Sequence, residues 1–211
     1  MPNDICITLD YELCLGAKTG SVMNSLILPM DELSKVFDKY NVKVTIMVDS
    51  SYLLMLKKKL SEFSSLEVDY NMIVSQLRSL SNNGHSIQLH IHPQWYYSSY
   101  DGKNWHLDFE HYKLSDMDKE DIEIYFKESK SLLESIIGKK VVAFRAGGFS
   151  LQTYKEHGQL FTSNDIKIDT SVAPGNFEKS KHQWYDYRNL PHHNYKFSHD
   201  ITKIDKNGRL L

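Results

Sequence analysis

The sequence predicts an α/β protein whose strands form a parallel barrel, and three observations carry that prediction. Short β-like runs alternate with helical stretches along 211 residues, which is the pattern of βαβ units. Within each run one parity is branched and apolar, while the other becomes polar towards the C-terminal end. No repeat, low-complexity segment or linker divides the chain, so residues 1–211 read as one domain with room for a sizeable core.

The elements follow in order. ICITLD (5–10) has strand character. PMDELSKVFDKY (29–40) has helical periodicity with Pro29 near its start, and VKVTIMV (42–48) returns to strand. SYLLMLKKKL (51–60) and VDYNMIVSQLRSLSNNG (68–84) are helical, the second closed by Gly84 as a C-cap. SIQLHIH (86–92) alternates strictly and leads into a long loop from about 93 to 115. The stretch 115–138 takes Ser115 as its N-cap and is helical to Gly138. KVVAFRAGG (140–148) is a strand and turn, LQTYKEHGQLFTSN (151–164) a helix, and DIKIDTSV (165–172) a further strand. The closing KNGRLL resembles a turn entering another strand, so either the sheet is open or the chain is cut short.

Parity says more than element type. Ile5, Ile7 and Leu9 oppose Cys6, Thr8, Asp10 and Glu12; Val42, Val44, Ile46 and Val48 oppose Thr45, Met47 and Asp49. Ile87, Leu89 and Ile91 oppose Gln88, His90 and His92; Val142 and Phe144 oppose Arg145; Ile166 and Ile168 oppose Asp169. Strands of a doubly wound sheet are covered on both faces and are more often apolar throughout. A barrel explains the pattern better, with apolar residues under the outer helices and functional groups converging at the C-terminal mouth.

Composition excludes several roles. Net charge is −2, from 25 basic and 27 acidic residues, so nothing recommends nucleic acid or an anionic membrane as partner. No apolar run approaches the ~20 residues of a membrane span, and the N-terminus carries no basic leader. Two cysteines, Cys6 and Cys14, build no disulfide framework, which places the protein in a reducing cytoplasm.

The polar strand ends define a chemistry. Asp10 and Glu12 lie at i and i+2, as do His90 and His92, so each pair reaches one side of an extended segment. Carboxylate and imidazoles converging on one point form the ligand set of Zn²⁺ or a similar divalent ion. Such an ion acidifies water and polarises a carbonyl. A carboxylate left off the metal then serves as general base, with Arg145 keeping it ionised and oriented. The residues thus indicate metal-assisted hydrolysis without naming a substrate.

The ordered segments TLDYE (8–12), VTIMV (44–48), GHSIQLHIHPQW (84–95), FRAGG (144–148) and DTSVAPG (169–175) resemble the polysaccharide deacetylases of carbohydrate esterase family 4. The similarity is greatest to a branch associated with lipopolysaccharide and capsule biosynthesis. It runs from residue 4 to about 195. The resemblance implies a distorted, incomplete (β/α) barrel with a divalent metal, usually Zn²⁺, at its mouth, and removal of acetyl groups from N-acetylated sugars. It places the catalytic base at Asp10, metal ligands at Glu12 and His90, the base-orienting arginine at Arg145, and at Asp169 an aspartate supporting the general-acid histidine. His192 or His193, after Leu190, supplies that acid.

The match departs from the family pattern at one ligand. Gln94 stands where the second metal imidazole is expected, four residues after His90. Either His92 substitutes by strand parity, or Gln94 binds through its carbonyl oxygen, or the site has lost metal and catalysis. Two alternatives to the hydrolase therefore stay open: an inactive glycan-binding domain, and a metal-free glycosidase pairing Asp10 with Glu12 or Asp169. The aromatic loop after His92 either contacts sugar, with Trp95 the leading substrate residue, or covers the barrel. His85 is expected to be structural, Cys14 a small buried residue, Asp49 the N-cap of the following helix, and Lys57–Lys59 a solvated helix end.

Overall fold

The computed structural model describes residues 5–14, 18–152 and 154–211. A five-stranded parallel sheet forms its centre: β1 (Thr8–Tyr11), β2 (Thr45–Asp49), β3 (Ser86–Ile91), β6 (Ala143–Ala146) and β7 (Ile168–Asp169), side by side in that order. Helices α1 (Leu28–Lys39), α2 (Ser50–Lys59), α3 (Glu67–Asn82), α4 (Lys119–Ile137) and α5 (His157–Ser163) supply the crossovers and flanks. Two hairpins, β4 (Ser99–Tyr100) with β5 (Trp105–His106) and β8 (Phe177–Lys179) with β9 (Trp184–Asp186), lie in the connecting loops.

The sheet is curled. β1 and β6 are separated by β2 and β3, so a flat sheet would hold them about 14 Å apart. Yet the guanidinium of Arg145 on β6 donates to Asp10 Oδ1 at 2.6 Å and to Thr8 Oγ1 at 2.8 Å, both on β1. Curvature that brings alternate strands together across an interior is the geometry of an incomplete (β/α) barrel, as the sequence predicts. At the other edge Leu211 donates to Lys167 O and accepts from Asp169 N, bonding in parallel fashion beside β7.

Register divides the sheet into two faces. Tyr11, Val48, Leu89 and Phe144 occupy one row, buried beneath the helices. Asp49, His90 and Arg145 occupy a row of the opposite parity. Phe126 on α4 packs on Phe144, whose other neighbour is Phe161 on α5. Asp49 caps α2 as expected, accepting from Tyr52 N at 3.2 Å and from the Ser51 hydroxyl. His85 is buried and accepts from Val44 N, so it is structural. Lys58 and Lys59 form surface ion pairs with Glu128 and Glu62.

Several expectations need correction. The first strand starts later than predicted, and Ile5 and Ile7 are exposed because no helix covers them. Ser115 lies in a separate turn, Leu114–Asp116, closed by Lys113 N donating to Asp116 Oδ2; Asp118 is the N-cap residue of α4. The predicted helix over 151–164 reduces to α5, because His157 accepts from Ile201 N and donates to Tyr154 O, tying the helix start to the C-terminal segment. Cys14 is exposed rather than buried.

Candidate metal centre

The strict alternation of β3 aims His90 to the sheet interior, and His92 follows it on the same side just beyond the strand. Glu12 follows β1 in the same way. Their tips meet: Glu12 Oε2 lies 3.0 Å from His90 Nε2 and 2.6 Å from His92 Nε2, and the two imidazole nitrogens are 3.0 Å apart. Among the described residues this is the one group of three such donors close enough to hold an ion. Both histidines are buried, and Glu12 is partly open.

The far side of each ring tests whether the set suits a metal. His90 Nδ1 faces Arg145 O at 2.8 Å. A carbonyl can only accept, so Nδ1 carries a proton, and Nε2 is the ring nitrogen turned to Glu12 and His92. His92 Nδ1 faces the Gln94 side-chain amide at 3.2 Å, and Gln94 Oε1 is buried without a partner. Turning that amide by 180° places its oxygen on His92 Nδ1–H and frees Nε2 in the same way. His92 is further held by its backbone N–H, which donates to Ser51 Oγ at 2.9 Å, and by its ring lying on Gly147. Two oriented imidazoles and one carboxylate fit a divalent cation of the zinc type.

Glu12 is the anion of the set. Burial pushes the Glu12 carboxyl up, but hydrogen bonds from His90 and His92 outweigh it and hold it well below the usual carboxylate range. Burial pulls the His90 imidazole down, while its hydrogen bond to Glu12 raises it further, leaving it above the ordinary value. Asp49 is buried beside the site; burial pushes its carboxyl up, and its Oδ2 has no hydrogen-bond partner.

Asp10 stands next to this group, gripped by Arg145 as predicted. Arg145 is itself fixed by Thr8, by Thr170 Oγ1 at 3.2 Å and by its backbone carbonyl on His90. Asp169 is not brought to them. Register places it opposite Phe144, on the other parity from Arg145, and its oxygens accept from Ser171 N and Oγ. It lines a separate, largely apolar cleft of about 470 Å³ with His192 and His193. Among the described residues no hydrogen bond joins Asp169 to either histidine. Trp95 is fully buried, its ring 4.6 Å from Tyr52 and 5.5 Å from Trp105, so it packs the barrel mouth instead of facing a sugar.

Sequence reasoning assigned no role to Gly147, Thr8 or Thr170, and it weighed Gln94 only as a metal ligand. Gly147 gives His92 its space, Thr8 and Thr170 aim Arg145, and Gln94 stands behind His92 instead of beside a metal. The one visible signal was the glycine pair after Arg145, since glycine next to a polar strand end marks close approach.

The sequence profile described as "Polysaccharide deacetylase" matches residues 30–158. No curated protein matches. Among solved structures, a putative polysaccharide deacetylase from Mycobacterium smegmatis is 16% identical over 69% of this chain, with a TM-score of 0.46. A family 4 acetyl xylan esterase from Clostridium thermocellum in complex with a cobalt ion is 17% identical over 77%, with a TM-score of 0.41. A mutant of a CE4 family pseudoenzyme with restored enzymatic activity is 13% identical over 78%, with a TM-score of 0.45. The chain spans 38%, 56% and 43% of those three proteins respectively. With the profile covering well over half of its length, the chain belongs to the polysaccharide deacetylase family.

Proposed function

We propose that the protein is a metal-dependent hydrolase that removes an acetyl group from the amide nitrogen of an N-acetylated sugar during cell-surface polysaccharide biosynthesis. The observation that carries this reading is the convergence of Glu12, His90 and His92, with Nδ1 of His90 held by the Arg145 backbone carbonyl. Glu12, His90 and His92 would hold the cation, for which Zn²⁺ is the natural choice given two imidazoles and a carboxylate. When bound, it supplies Lewis acidity at the acyl oxygen.

The chain's own groups do the remaining work. Asp10 takes the proton of the attacking water, and Arg145 holds that carboxylate in place through the 2.6 Å contact. For the proton given to the departing amine we propose His192, whose cleft meets the Asp10–Arg145 pair at Thr8. The substitution of Gln94 for the expected ligand favours the glycan-binding alternative only if Gln94 must coordinate. The 2.6 Å approach of His92 Nε2 to Glu12 supports His92 in that place instead. Two exposed, unpaired thiols favour the cytoplasm as its location.

The test joins metal titration to acetate release. Purified protein should take up about one equivalent of Zn²⁺, lose that uptake in His90→Ala, and release acetate from N-acetylated oligosaccharides only when loaded. Glycan binding with metal but without acetate release would establish the inactive alternative. Turnover that survives a chelator would establish the glycosidase.

A further inference from the structure

Asp49 caps α2, but the cap accounts for only one of its two oxygens. Oδ1 accepts from the Ser51 hydroxyl and from Tyr52 N, whereas Oδ2 is buried without a hydrogen-bond partner. The residue is 2% exposed. A buried carboxylate with one oxygen unanswered is costly, and such a group persists where a neighbouring charge answers it. We propose that Asp49 is a positioning residue and the second anion of the metal centre, holding His92 through Ser51 and strengthening the site's hold on a divalent cation. This rests on the metal-dependent reading of Glu12, His90 and His92, and adds a fourth residue to it.

Register carries Asp49 into the site. It pairs with His90 across β2 and β3, and His90 pairs with Arg145 across β3 and β6. The pairing of β1 ends at Tyr11 with Val48, so Glu12 leaves that strand at the level of Asp49. Neighbouring strands lie about 4.8 Å apart, and residues of one parity share a face. Glu12, Asp49 and His90 therefore stand side by side towards the interior. Hydrogen bonds continue the link to the other imidazole. Ser51 Oγ donates to Asp49 Oδ1 and accepts at 2.9 Å from the backbone N–H of His92. One carboxylate thus lies beside the first ring and fixes the segment that carries the second.

Charge gives Asp49 its part. Neutral imidazoles bring no charge, so Glu12 alone answers only part of a divalent ion's charge in a buried setting. Asp10 does not supply the rest, because Arg145 meets it at 2.6 Å. Asp169 stands on the other parity and lines a separate cleft. Among the described acids at these strand ends, Asp49 remains. Burial pushes its carboxyl up; His92, His90 and the Ser51 hydrogen bond draw it down; and Glu12 pushes it up again. The carboxylate and the three donors therefore act on one another electrostatically.

The experiment titrates Zn²⁺ calorimetrically into wild type, Asp49→Asn, Ser51→Ala and Glu62→Gln, with melting temperatures recorded in chelator. Asn caps a helix as well as Asp does, so Asp49→Asn removes the charge and leaves the cap. Its Zn²⁺ affinity should fall about tenfold, with the melting temperature in chelator unchanged. Ser51→Ala, which cuts the link to His92, should weaken Zn²⁺ binding several-fold. Glu62→Gln, which removes an exposed charge just beyond α2, should leave affinity unchanged. An Asp49→Asn affinity within about twofold of wild type reduces Asp49 to a cap and overturns the proposal, while the metal-dependent reading stands. So does an equal fall in Glu62→Gln, since the effect then follows net charge and not position. Unchanged binding by Ser51→Ala overturns the hold on His92. Wild-type protein that takes up no Zn²⁺ overturns the reading and the proposal together.

Discussion

Gly147→Ala is the sharpest test of how the metal centre is held. A Cβ built on Gly147 falls 2.4 Å from His92 Nδ1, 2.6 Å from Cε1 and 2.8 Å from Cγ, whereas ordinary contact begins at 3.4 Å. The imidazole or the backbone must therefore give way by about 1 Å, the difference between 3.4 and 2.4 Å. The ring has little freedom, being buried and held by Gln94 and Glu12, while the backbone N–H is fixed on Ser51. Metal sites tolerate errors of only about 0.2 Å in ligand distance. Losing the support of one ligand costs about 10–100-fold in affinity, or about 1.4–2.7 kcal/mol. The backbone is not the cause, because Gly147, unlike Gly148 at φ +55°, is outside the left-handed region. The assay is calorimetric Zn²⁺ titration, with melting temperatures recorded in chelator. Gly138→Ala is the control: φ is +67° there and no atom lies within 4 Å, so it should lose stability and keep its metal affinity. If Gly147→Ala melts like wild type and binds Zn²⁺ within twofold, His92 does not stand where the metal needs it.

Three further outcomes are expected. Arg145→Lys replaces a fork that reaches Asp10, Thr8 and Thr170 by a single ammonium, so kcat should fall about a hundredfold with Zn²⁺ affinity unchanged; an equal loss in metal affinity would refute a role confined to Asp10. Burial pushes the Asp169 carboxyl from 3.8 up to about 7. The native state therefore keeps a proton that the unfolded chain releases above about pH 4, and stability should decline as pH rises from about 4 to 7 by up to about 4 kcal/mol. Urea unfolding of Asp169→Asn should lack that decline, and matching pH profiles for variant and wild type would refute it. Tyr11→Phe strands the Gln76 Oε1 that its hydroxyl reaches at 2.8 Å, at a cost of about 1–3 kcal/mol in denaturant midpoint analysis; an unchanged midpoint would mean that the amide finds another donor.

The alternation of SIQLHIH put His90 and His92 on one side, and Asp10 and Glu12 shared a side for the same reason, because a two-residue period is local to each strand. Asp49 as a cap was legible from its place before a helix. The Asp169 assignment treated its strand as a long run pointing inward. The strand is instead only Ile168–Asp169, and its pairing with β6 puts Asp169 in the row of Phe144. Composition suggested sugar contacts in the aromatic loop, with Trp95 first among them. Folding buried Trp95 against Tyr52 and Trp105 instead.

By itself the sequence determined the α/β class, the parallel order of crossovers and the kind of donors at the strand ends, since propensity, periodicity and parity act over a few residues. Only the tertiary structure decided which donors meet. Arg145 and Asp10 are 135 positions apart, and Glu12 lies 78 and 80 positions from the two histidines it joins. Such contacts depend on sheet curvature and on register between strands, which are set by the packing of the whole core and by no single segment of it.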